Sequence, residues 1–487
     1  MNVLYLTSEL CDFVKTGGLA DVAKALPLEL HKRNHDVRIM MPCYSKIPKV
    51  NDYPVIADLN LTNPQNNFSI EFKVREAKLM KTVTLWLIDN EHYFNRNSIY
   101  AENNESYYDN GERFAFFSAA ALLTTEYLKF CPQIIHCNDW HTALTPMILA
   151  LKYQNSSFFA HTKTVITVHN GSFQGIFDKS QLWMLPELTQ VYNESITHGY
   201  NNINFLKCGI YYANKINAVS PSYAEELTTF LGGHGMAQNY LDRIDDLCGI
   251  INGCDYSDWD PSIDPNIPFN FNIKTILDKN LCKFFLQEYT HLPVCNKPLF
   301  GMVCRLTDQK GINLLIPILD ELLNHQIQLI IVGTGAKDLE KTLEEYTQKY
   351  KNKFVFKSVY DNKLAHLVEA GADFFLMPSI FEPCGLNQMY SLAYGTLPIV
   401  RAVGGLKDTI ICYDDNPSEA TGFIFNKAEP EALLNCIRRV MIFYLQDHFA
   451  LMRVRRNAMR VRYDWATSAS EYEEMYQGAI SMNGSSY

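Results

Sequence analysis

Two segments of the chain combine basic side chains with glycine in a pattern that suits a phosphate ligand. Lys15 stands just before the pair Gly17-Gly18, and Arg305 and Lys310 precede another glycine in the second half of the chain. Glycines let backbone N–H groups approach an anion closely, and a helix that follows them adds its dipole. Arginine binds a diphosphate through its bidentate fork and lysine as a point charge. One basic turn in each half favours a shared diphosphate site over two solvated surface turns.

A carboxylate opens another segment of interest in the second half. Glu382, Cys384, Gly385 and Leu386 belong to the run Glu-Pro-Cys-Gly-Leu, which begins a predicted helix. Such a carboxylate could bind sugar hydroxyls, bind a cation or interact with the helix dipole, and the residues alone leave these readings open. Cys384 has no base nearby, so we expect no nucleophilic role.

A second glycine pair, Gly404-Gly405, precedes a helical segment and could offer N–H groups to phosphate.

The histidines and acidic pairs do not have the spacing of metal ligands. His169-Asn170 follows a predicted strand, at a carboxyl end where ligands bind. His136 and His141 do not match the zinc-binding helix motif. The run Asp258-Trp259-Asp260 imitates a short acidic metal motif, but it lies in a proline-flanked segment where turn formation explains the acids. We therefore expect no metal and no cofactor.

Short apolar strands that alternate with helices would position these residues. The predicted strands are Val3–Leu6, Val37–Met41, Val83–Ile88, Ile134–Ile135, Thr164–Val168, Ile216–Val219, Leu299–Val303, Gln328–Val332, Phe354–Phe356, Phe374–Met377 and Pro398–Val400. Such alternation predicts parallel sheets that are covered on both faces. A segment rich in Asp, Pro and Asn, Asn252–Asn272, predicts domains 1–251 and 252–465. The expected fold is α/β, with two Rossmann-like domains facing across a deep cleft.

Composition narrows the class of protein. The 487 residues include 43 basic and 53 acidic side chains, a net charge of −10 that disfavours nucleic acid and acidic membranes as partners. The 13 cysteines form no C-x-x-C pair, and the N-terminus lacks the features of a signal peptide. The longest apolar run, Phe114–Leu123, is too short to cross a membrane. We expect a cytoplasmic protein.

Seven motifs together resemble the family of bacterial glycogen synthases and plant starch synthases. They are KTGGLADV, NDWH, TVHN, INGCDYSDWDP, RLTDQKG, PSIFEPCGLNQMY and YGTLPIVRAVGGLKDT, in the family's order and approximate spacing. The resemblance covers nearly the whole chain. It implies a GT-B type fold and a retaining transfer of glucose from ADP-glucose to the non-reducing end of an α-1,4-glucan, without metal. It also implies that a C-terminal helix, 466–487, packs back on the first domain, which would be the acceptor side.

The resemblance assigns roles to individual residues. The implied catalytic residues are Lys15, His169, Arg305, Lys310 and Glu382. The implied substrate-binding residues are Gly17, Gly18, Asp21, Asp139, Asn170, Asn252, Tyr360, Cys384, Gly385, Leu386, Gly404 and Gly405. Lysines and arginine would hold the diphosphate, the glycines would supply backbone contacts, and Glu382 would contact the glucose. His169, Asn170 and Asn252 would surround the donor sugar, with Tyr360 at the base. Asp139 would lie near the acceptor and Asp21 between the two sugars.

Two segments depart from the family pattern, and a third position separates this family from other retaining families. Ile380 replaces a common arginine, which predicts a missing contact, and Gly171-Ser172-Phe173 replaces the usual residues after TVHN. Tyr390 stands where other retaining families carry a second glutamate, which supports the narrower assignment. Two alternatives stay open: a retaining glucosyltransferase that uses UDP-glucose, and a non-catalytic glucan-binding protein of the same fold.

Overall fold

The computed structural model describes residues 1–63, 68–102, 105–185, 193 and 196–482. It divides the chain into two compact units. Unit 1 contains Met1–Val219, Ala224–Gly253 and Trp465–Tyr487, and unit 2 contains Ser220–Tyr223 and Cys254–Asp464. The chain therefore passes into unit 2 after Gly253 and returns at Trp465, whereas the sequence suggested residues 252 and 466 for these points.

Strands and helices alternate in the part of the chain up to Gly253. The strands are β1 (Asn2–Leu6), β2 (Asp36–Pro42), β3 (Val55–Asn63), β4 (Phe68–Leu79), β5 (Val83–Asp89), β6 (Ala101–Glu102), β7 (Glu105–Ser106), β8 (Ile134–Asn138), β9 (Lys163–Val168), β10 (Ile176–Asp178), β11 (Thr197–His198), β12 (Asn202–Asn204), β13 (Lys215–Ala218) and β14 (Leu247–Gly249). The helices are α1 (Leu19–Lys32), α2 (Glu91–Phe94), α3 (Asn110–Tyr127), α4 (Thr145–Lys152), α5 (Phe205–Tyr212), α6 (Pro221–Leu227) and α7 (Ala237–Leu241).

The main sheet of unit 1 has the order β14-β13-β9-β8-β1-β2-β5-β4-β3 among the described strands. The central strand β1 pairs in parallel with β8 on one side and β2 on the other, so Val3 lies opposite both Ile134 and Val37. All pairs from β14 to β5 are parallel, which brings the carboxyl ends of β1, β8 and β9 to one edge. This edge carries the predicted residues of unit 1.

Unit 2 repeats the alternation around a parallel sheet. Its strands are β15 (Leu299–Val303), β16 (Gln328–Val332), β17 (Phe354–Lys357), β18 (Phe374–Met377), β19 (Leu397–Arg401) and β20 (Phe423–Phe425). Its helices are α8 (Lys279–Tyr289), α9 (Ile312–Leu315), α10 (Leu319–Asn324), α11 (Lys337–Lys349), α12 (Asn362–Gly371), α13 (Asn387–Tyr394), α14 (Gly404–Thr409), α15 (Pro430–Gln446) and α16 (His448–Arg460). The sheet order is β17-β16-β15-β18-β19-β20, and every pair is parallel. Each unit is thus Rossmann-like.

The last helix, α17 (Trp465–Ser481), packs within unit 1. The Tyr476 hydroxyl lies 2.7 Å from Nδ1 of the buried His136, and the Tyr472 hydroxyl accepts a hydrogen bond from Asn217. Ser468 donates to the backbone oxygen of Ile251. Residues 483–487 of the predicted helix lie outside the described residues.

One expectation about the elements was wrong. The sheet of unit 1 is not wholly parallel, because the hairpin β3–β4 pairs antiparallel and joins β5 antiparallel. Its alternating pattern, Ile70-Glu71-Phe72-Lys73-Val74, is typical of a strand with one exposed face.

The helical region of residues 312–324 is divided into α9, a 3₁₀ turn over Ile316–Ile318 and α10, since Pro317 cannot donate a helical hydrogen bond.

No helix among the described residues is long and apolar enough to span a bilayer.

Candidate active site

The loop between β1 and α1 brings Lys15 beside Asp21. Lys15 Nζ lies 2.6 Å and 2.8 Å from the two carboxylate oxygens of Asp21, which stands in the first turn of α1. Both side chains remain partly exposed. The structure therefore brings together these two predicted residues, and the Lys15 charge is held at the start of the helix.

Gly17 and Gly18 are glycines that the fold of unit 1 does not itself require. A Cβ atom built on either would meet no described atom within 4 Å, and neither residue has a positive φ. Side chains there would project into open space beside Lys15. Glycine at such positions is expected where a ligand approaches the backbone closely.

The carboxylate of Glu9, which the sequence analysis missed, accepts hydrogen bonds from this loop. Its Oε2 accepts hydrogen bonds from the backbone N–H groups of Thr16 (2.5 Å) and Gly17 (3.0 Å). Its Oε1 accepts from the Thr16 hydroxyl (2.5 Å) and the Tyr100 hydroxyl (2.9 Å). The Gly17 N–H, which we expected to face a substrate, is thus used inside the protein.

Asp139 holds the backbone that follows β9. It adopts a left-handed φ of 53°, and its Oδ1 accepts hydrogen bonds from the N–H groups of His169 (2.7 Å) and Asn170 (3.4 Å). Burial raises the pKa of Asp139 to about 7; these hydrogen bonds lower it, and the charge of Glu9 raises it further. The Asp139 carboxylate therefore positions His169 instead of pointing freely toward an acceptor. Strained backbone of this kind is concentrated at functional sites.

His169 is a neutral imidazole of defined tautomer. Its Nε2 lies 2.9 Å from Oδ1 of Asn138, whose amide nitrogen donates to the Leu6 oxygen. Since Oδ1 can only accept, Nε2 carries the proton and Nδ1 keeps its lone pair. Burial lowers the pKa of His169 to about 3. The side chain can therefore accept a hydrogen bond from a hydroxyl group at neutral pH.

Asn170 and Asn252 occupy different settings in unit 1. Asn170 Oδ1 accepts hydrogen bonds from the N–H and hydroxyl of Ser172, which shapes the turn formed by 171–173. Asn252 is buried, and its side-chain oxygen has no hydrogen-bond partner among the described residues.

A shallow groove of about 400 Å³ lies next to these residues in unit 1. Its lining includes the aromatic rings of Trp140, Phe173 and Phe177, the amides of Asn110 and Gln174 and the imidazoles of His198 and His234, with no Asp, Glu, Lys or Arg. Phe173 is 63% exposed. Aromatic faces and hydrogen-bonding groups in the absence of lysine and arginine suit a polyol better than a phosphate.

The carboxyl end of β15 in unit 2 carries a cluster of three charges. Lys310 Nζ lies 2.5 Å from Oε2 of Glu382, which is buried and also accepts from the Ser379 hydroxyl at 3.1 Å. Burial raises the pKa of the Cys304 thiol to about 12, and the charges of Lys310, Glu382 and Arg305 also act on it, so all three lie around Cys304. Arg305 is exposed and forms no ion pair with the rest of the described chain.

The glycine pair at the start of α14 serves packing. A Cβ on Gly404, whose φ is +38°, would lie 2.1 Å from the Glu382 backbone oxygen, and one on Gly405 would lie 2.3 Å from that of Cys384. The Gly405 N–H donates to the Pro383 oxygen at 3.2 Å. This N–H therefore contacts the segment that carries Glu382, and the role of Gly405 toward phosphate stays a prediction.

The rest of that segment is also firmly held. Cys384 is buried, Gly385 has a φ of +75°, and Leu386 caps α13. Arg401 donates hydrogen bonds to the backbone oxygens of Ser379 (2.7 Å) and Ile380. Arg401, which lies on β19, thus holds the backbone of the segment that contains Ile380.

Tyr360 follows β17, and its ring is 88% exposed. An aromatic face of this kind is available for stacking on a base.

Two residues of the acidic run 258–260 make contacts within the protein. The Trp259 ring is stacked between His366 and Tyr390, with centroid distances of 3.8 Å and 4.0 Å. Asp260 accepts hydrogen bonds from the N–H and hydroxyl of Ser262 and pairs with Arg462 at 3.4 Å. Within the described ranges no group of three His, Cys, Asp or Glu side chains could hold a metal ion.

Comparisons with known proteins identify the family of the chain. Residues 2–241 match the family model of the starch synthase catalytic domain, and residues 291–444 match glycosyl transferases group 1. The glycogen synthase of Aeromonas salmonicida is 51% identical over 480 residues, which cover 99% of this chain and 98% of that protein. The glycogen synthase of Photobacterium profundum is 48% identical over 481 residues, with coverages of 98% and 94%.

Solved structures confirm the predicted glycosyltransferase fold. The catalytic domain of starch synthase IV from Arabidopsis thaliana, bound to ADP and acarbose, matches with a TM-score of 0.89 at 29% identity, and the match covers 99% of both chains. Sucrose-phosphate synthase from Thermosynechococcus elongatus, with a TM-score of 0.58 at 17% identity over 98% of both chains, shares the fold alone. This chain belongs to the glycogen synthase and starch synthase family of glycosyltransferases.

Proposed function

We propose that the protein is a glycogen synthase that transfers glucose from ADP-glucose to the non-reducing end of an α-1,4-glucan with retention of configuration. The observation that carries this proposal is about half-identity to glycogen synthases over nearly the whole chain. The ADP bound to the starch synthase IV catalytic domain supports adenine as the base. A nucleotide sugar and a glucan are the two substrate classes that the family uses.

Unit 2 supplies charges for the leaving diphosphate. Negative charge develops on the diphosphate as the glucose–phosphate bond breaks, and fixed cations stabilise it, by about 10²–10³-fold for each donor. Arg305 and Lys310 are such cations, and Glu382 orients Lys310 at 2.5 Å. The exposed ring of Tyr360 is proposed to stack on the adenine.

Unit 1 supplies groups that orient sugars. His169 is neutral, with the proton on Nε2, so it accepts a hydrogen bond from a sugar hydroxyl and does not act as a proton donor at Nδ1. The groove beside Trp140 and Phe173, which has no Asp, Glu, Lys or Arg in its lining, is proposed to hold the acceptor glucan. Lys15 and Gly18 are proposed to belong to an anion-binding loop of this unit, in which the Gly17 N–H is bound to Glu9.

The reaction needs no enzymic nucleophile in this scheme. The bond between glucose C1 and the phosphate oxygen breaks, and a bond from C1 to the acceptor hydroxyl oxygen forms on the same face. The acceptor proton passes to the leaving phosphate oxygen, so atoms and charge balance. We propose that no divalent metal takes part, and the turn and ion-pair contacts of Asp260 support this because they account for the nearest acidic motif.

One titration separates the proposal from its two alternatives. The purified chain is mixed with glycogen and either ADP-glucose or UDP-glucose, and nucleotide release is measured beside thermal shifts with ADP and UDP. We expect ADP release and a larger stabilisation by ADP. Faster release of UDP would indicate a UDP-glucose enzyme, and binding of glycogen without any nucleotide release would indicate a non-catalytic glucan-binding protein.

A further inference from the structure

Glu9 lies where three segments of unit 1 meet. Its carboxylate accepts four hydrogen bonds: two from backbone N–H groups of Thr16 and Gly17, and two from the hydroxyls of Thr16 and Tyr100. Glu9 is only 4% exposed. A buried carboxylate that receives four donors fixes the position of each donor, because each is lost at a cost if the group moves.

The first segment that Glu9 fixes is the loop of Lys15, Gly17 and Gly18. The hydrogen bonds to Thr16 and Gly17 tie this loop to the end of β1, between Lys15 and the start of α1. A Cβ atom on either loop glycine would meet open space. The hydrogen bonds to the Glu9 carboxylate therefore contribute to fixing this part of the loop, together with the Lys15–Asp21 ion pair.

The other two segments connect the loop to the His169 region. The Tyr100 hydroxyl donates a hydrogen bond to Glu9 and accepts one from the Ser8 hydroxyl at 2.7 Å. The Tyr100 ring stacks on the His141 ring, with centroids 4.6 Å apart. The charge of Glu9 also contributes to the raised pKa of Asp139, which holds His169. One carboxylate therefore links the anion-binding loop with the sugar-orienting residues.

We propose that Glu9 is a positioning residue for glucosyl transfer, which sets the loop bearing Lys15 for the nucleotide-sugar donor. This inference rests on the proposed function. Glu9 acts through Thr16 and Gly17 and does not itself touch the donor. Its loss affects use of the donor much more than binding of the glucan.

The test compares Glu9→Gln with a matched variant, Glu112→Gln. Glu112 accepts a hydrogen bond from the Tyr93 hydroxyl at 2.6 Å, so it offers a similar carboxylate–tyrosine pair in unit 1 away from the glycine loop. For Glu9→Gln we expect kcat/KM for ADP-glucose to fall about 10²-fold, as a small misplacement of binding groups produces, with an unchanged KM for glycogen. Glu112→Gln retains both constants.

Single-bond variants keep the inference testable if Glu9→Gln does not fold. Thr16→Val removes one hydroxyl donor and Tyr100→Phe the other, and each is expected to raise the KM for ADP-glucose alone. In the double variant Glu9→Gln/Thr16→Val, the second change adds nothing, since its partner is already altered.

The outcomes separate the inference from the proposed function. If the wild-type chain transfers glucose and Glu9→Gln does so with the same constants, the positioning role is wrong and the proposed function stands. Additive effects of the Glu9 and Thr16 variants, or equal changes in the KM for donor and glycogen, also overturn the role. A wild-type chain that transfers no glucose refutes the proposed function itself. In that case calorimetry with ADP decides the role of Glu9 in positioning the loop. Weaker ADP binding by Glu9→Gln supports this role, and unchanged ADP binding overturns it.

Discussion

At the scale of single residues, we expect glucosyl transfer to depend on the charge of Glu382. It is 6% exposed and lies 2.5 Å from Lys310. In Glu382→Gln the amide keeps the shape but not the charge, so we expect turnover to fall by about 10²-fold or more while ADP affinity and thermal stability change little. Glu340→Gln is the control in unit 2, because Glu340 is equally buried and pairs with Lys337 at 2.7 Å. Parental turnover in Glu382→Gln would reduce Glu382 to a structural partner of Lys310.

Asp139 gives unit 1 a pH-dependent stability whose sign is defined. Burial raises its folded-state pKa from 3.8 to about 7, so the folded protein binds this proton more tightly than the unfolded chain does. The contribution to stability is therefore present at low pH and is lost as the pH rises toward 7. In Asp139→Asn the side chain does not titrate, so this loss of stability does not occur. The melting temperature of the variant minus that of wild type should therefore increase from about pH 4 to pH 7 and then level off.

Asp246→Asn is the control of opposite sign for this titration. Burial is the largest single effect on the pKa of Asp246 and raises it. The hydrogen bonds from Lys215 and Arg243 together outweigh burial, so the pKa of Asp246 is lowered. Its charge therefore stabilises the fold at neutral pH, and Asp246→Asn should lose stability there but less in acid. If the difference in melting temperature between Asp139→Asn and wild type does not vary with pH, Asp139 is not protonated in the folded chain over this range.

At the scale of elements, the apolar patterns of short segments predicted the buried parallel strands. The apolar runs that became β1, β8, β9 and β15 were identified because parallel strands buried on both faces are continuously apolar. The edge hairpin β3–β4 was missed because its alternation was not used, although that pattern is present in the sequence.

The missed parts of the site depend on contacts between distant segments. Glu9 reaches Tyr100, 91 positions away, and no local spacing indicates that pair. The role of Arg401 in bracing Ser379 and Ile380 likewise depends on the pairing of β18 with β19. Lys15, His169, Lys310 and Glu382 each follow a strand at its carboxyl end, where the fold class concentrates ligands, and their individual roles remain predictions from the family resemblance.

The turn between β9 and β10 provides a test of the groove. Phe173 lines it with a ring that is 63% exposed, in the turn where this chain departs from its family. Losing about 1 kcal/mol of ring contact in Phe173→Ala corresponds to a rise of about fivefold in the KM for glycogen, with the KM for ADP-glucose unchanged. Phe230→Ala, which removes an exposed ring outside the groove lining, should change neither constant. Equal kinetics in the two variants would place the acceptor elsewhere.

At the scale of the whole molecule, fixed charges are expected to replace a metal ion. Arg305 and Lys310 are cations at the end of one strand, and the carboxylate of Asp260 takes part in a turn and an ion pair. Transfer should therefore continue in excess EDTA, and Lys310→Ala should lose about 10²-fold in turnover with or without Mg²⁺ or Mn²⁺. Lys349→Ala, which removes an exposed lysine paired with Asp320, is the control. Loss of activity in EDTA that Mn²⁺ restores would refute the fixed-charge scheme.

The most direct measurement of the proposed transfer follows the anomeric carbon itself. The full chain is incubated with ADP-glucose labelled with ¹³C at C1 of the glucose and with a short α-1,4-glucan, and the product is observed by NMR while ADP is quantified. We predict one α-1,4-linked labelled glucose at the non-reducing end for each ADP released. A β linkage, free labelled glucose in place of a longer chain, or no release of ADP would contradict retaining glucosyl transfer by this protein.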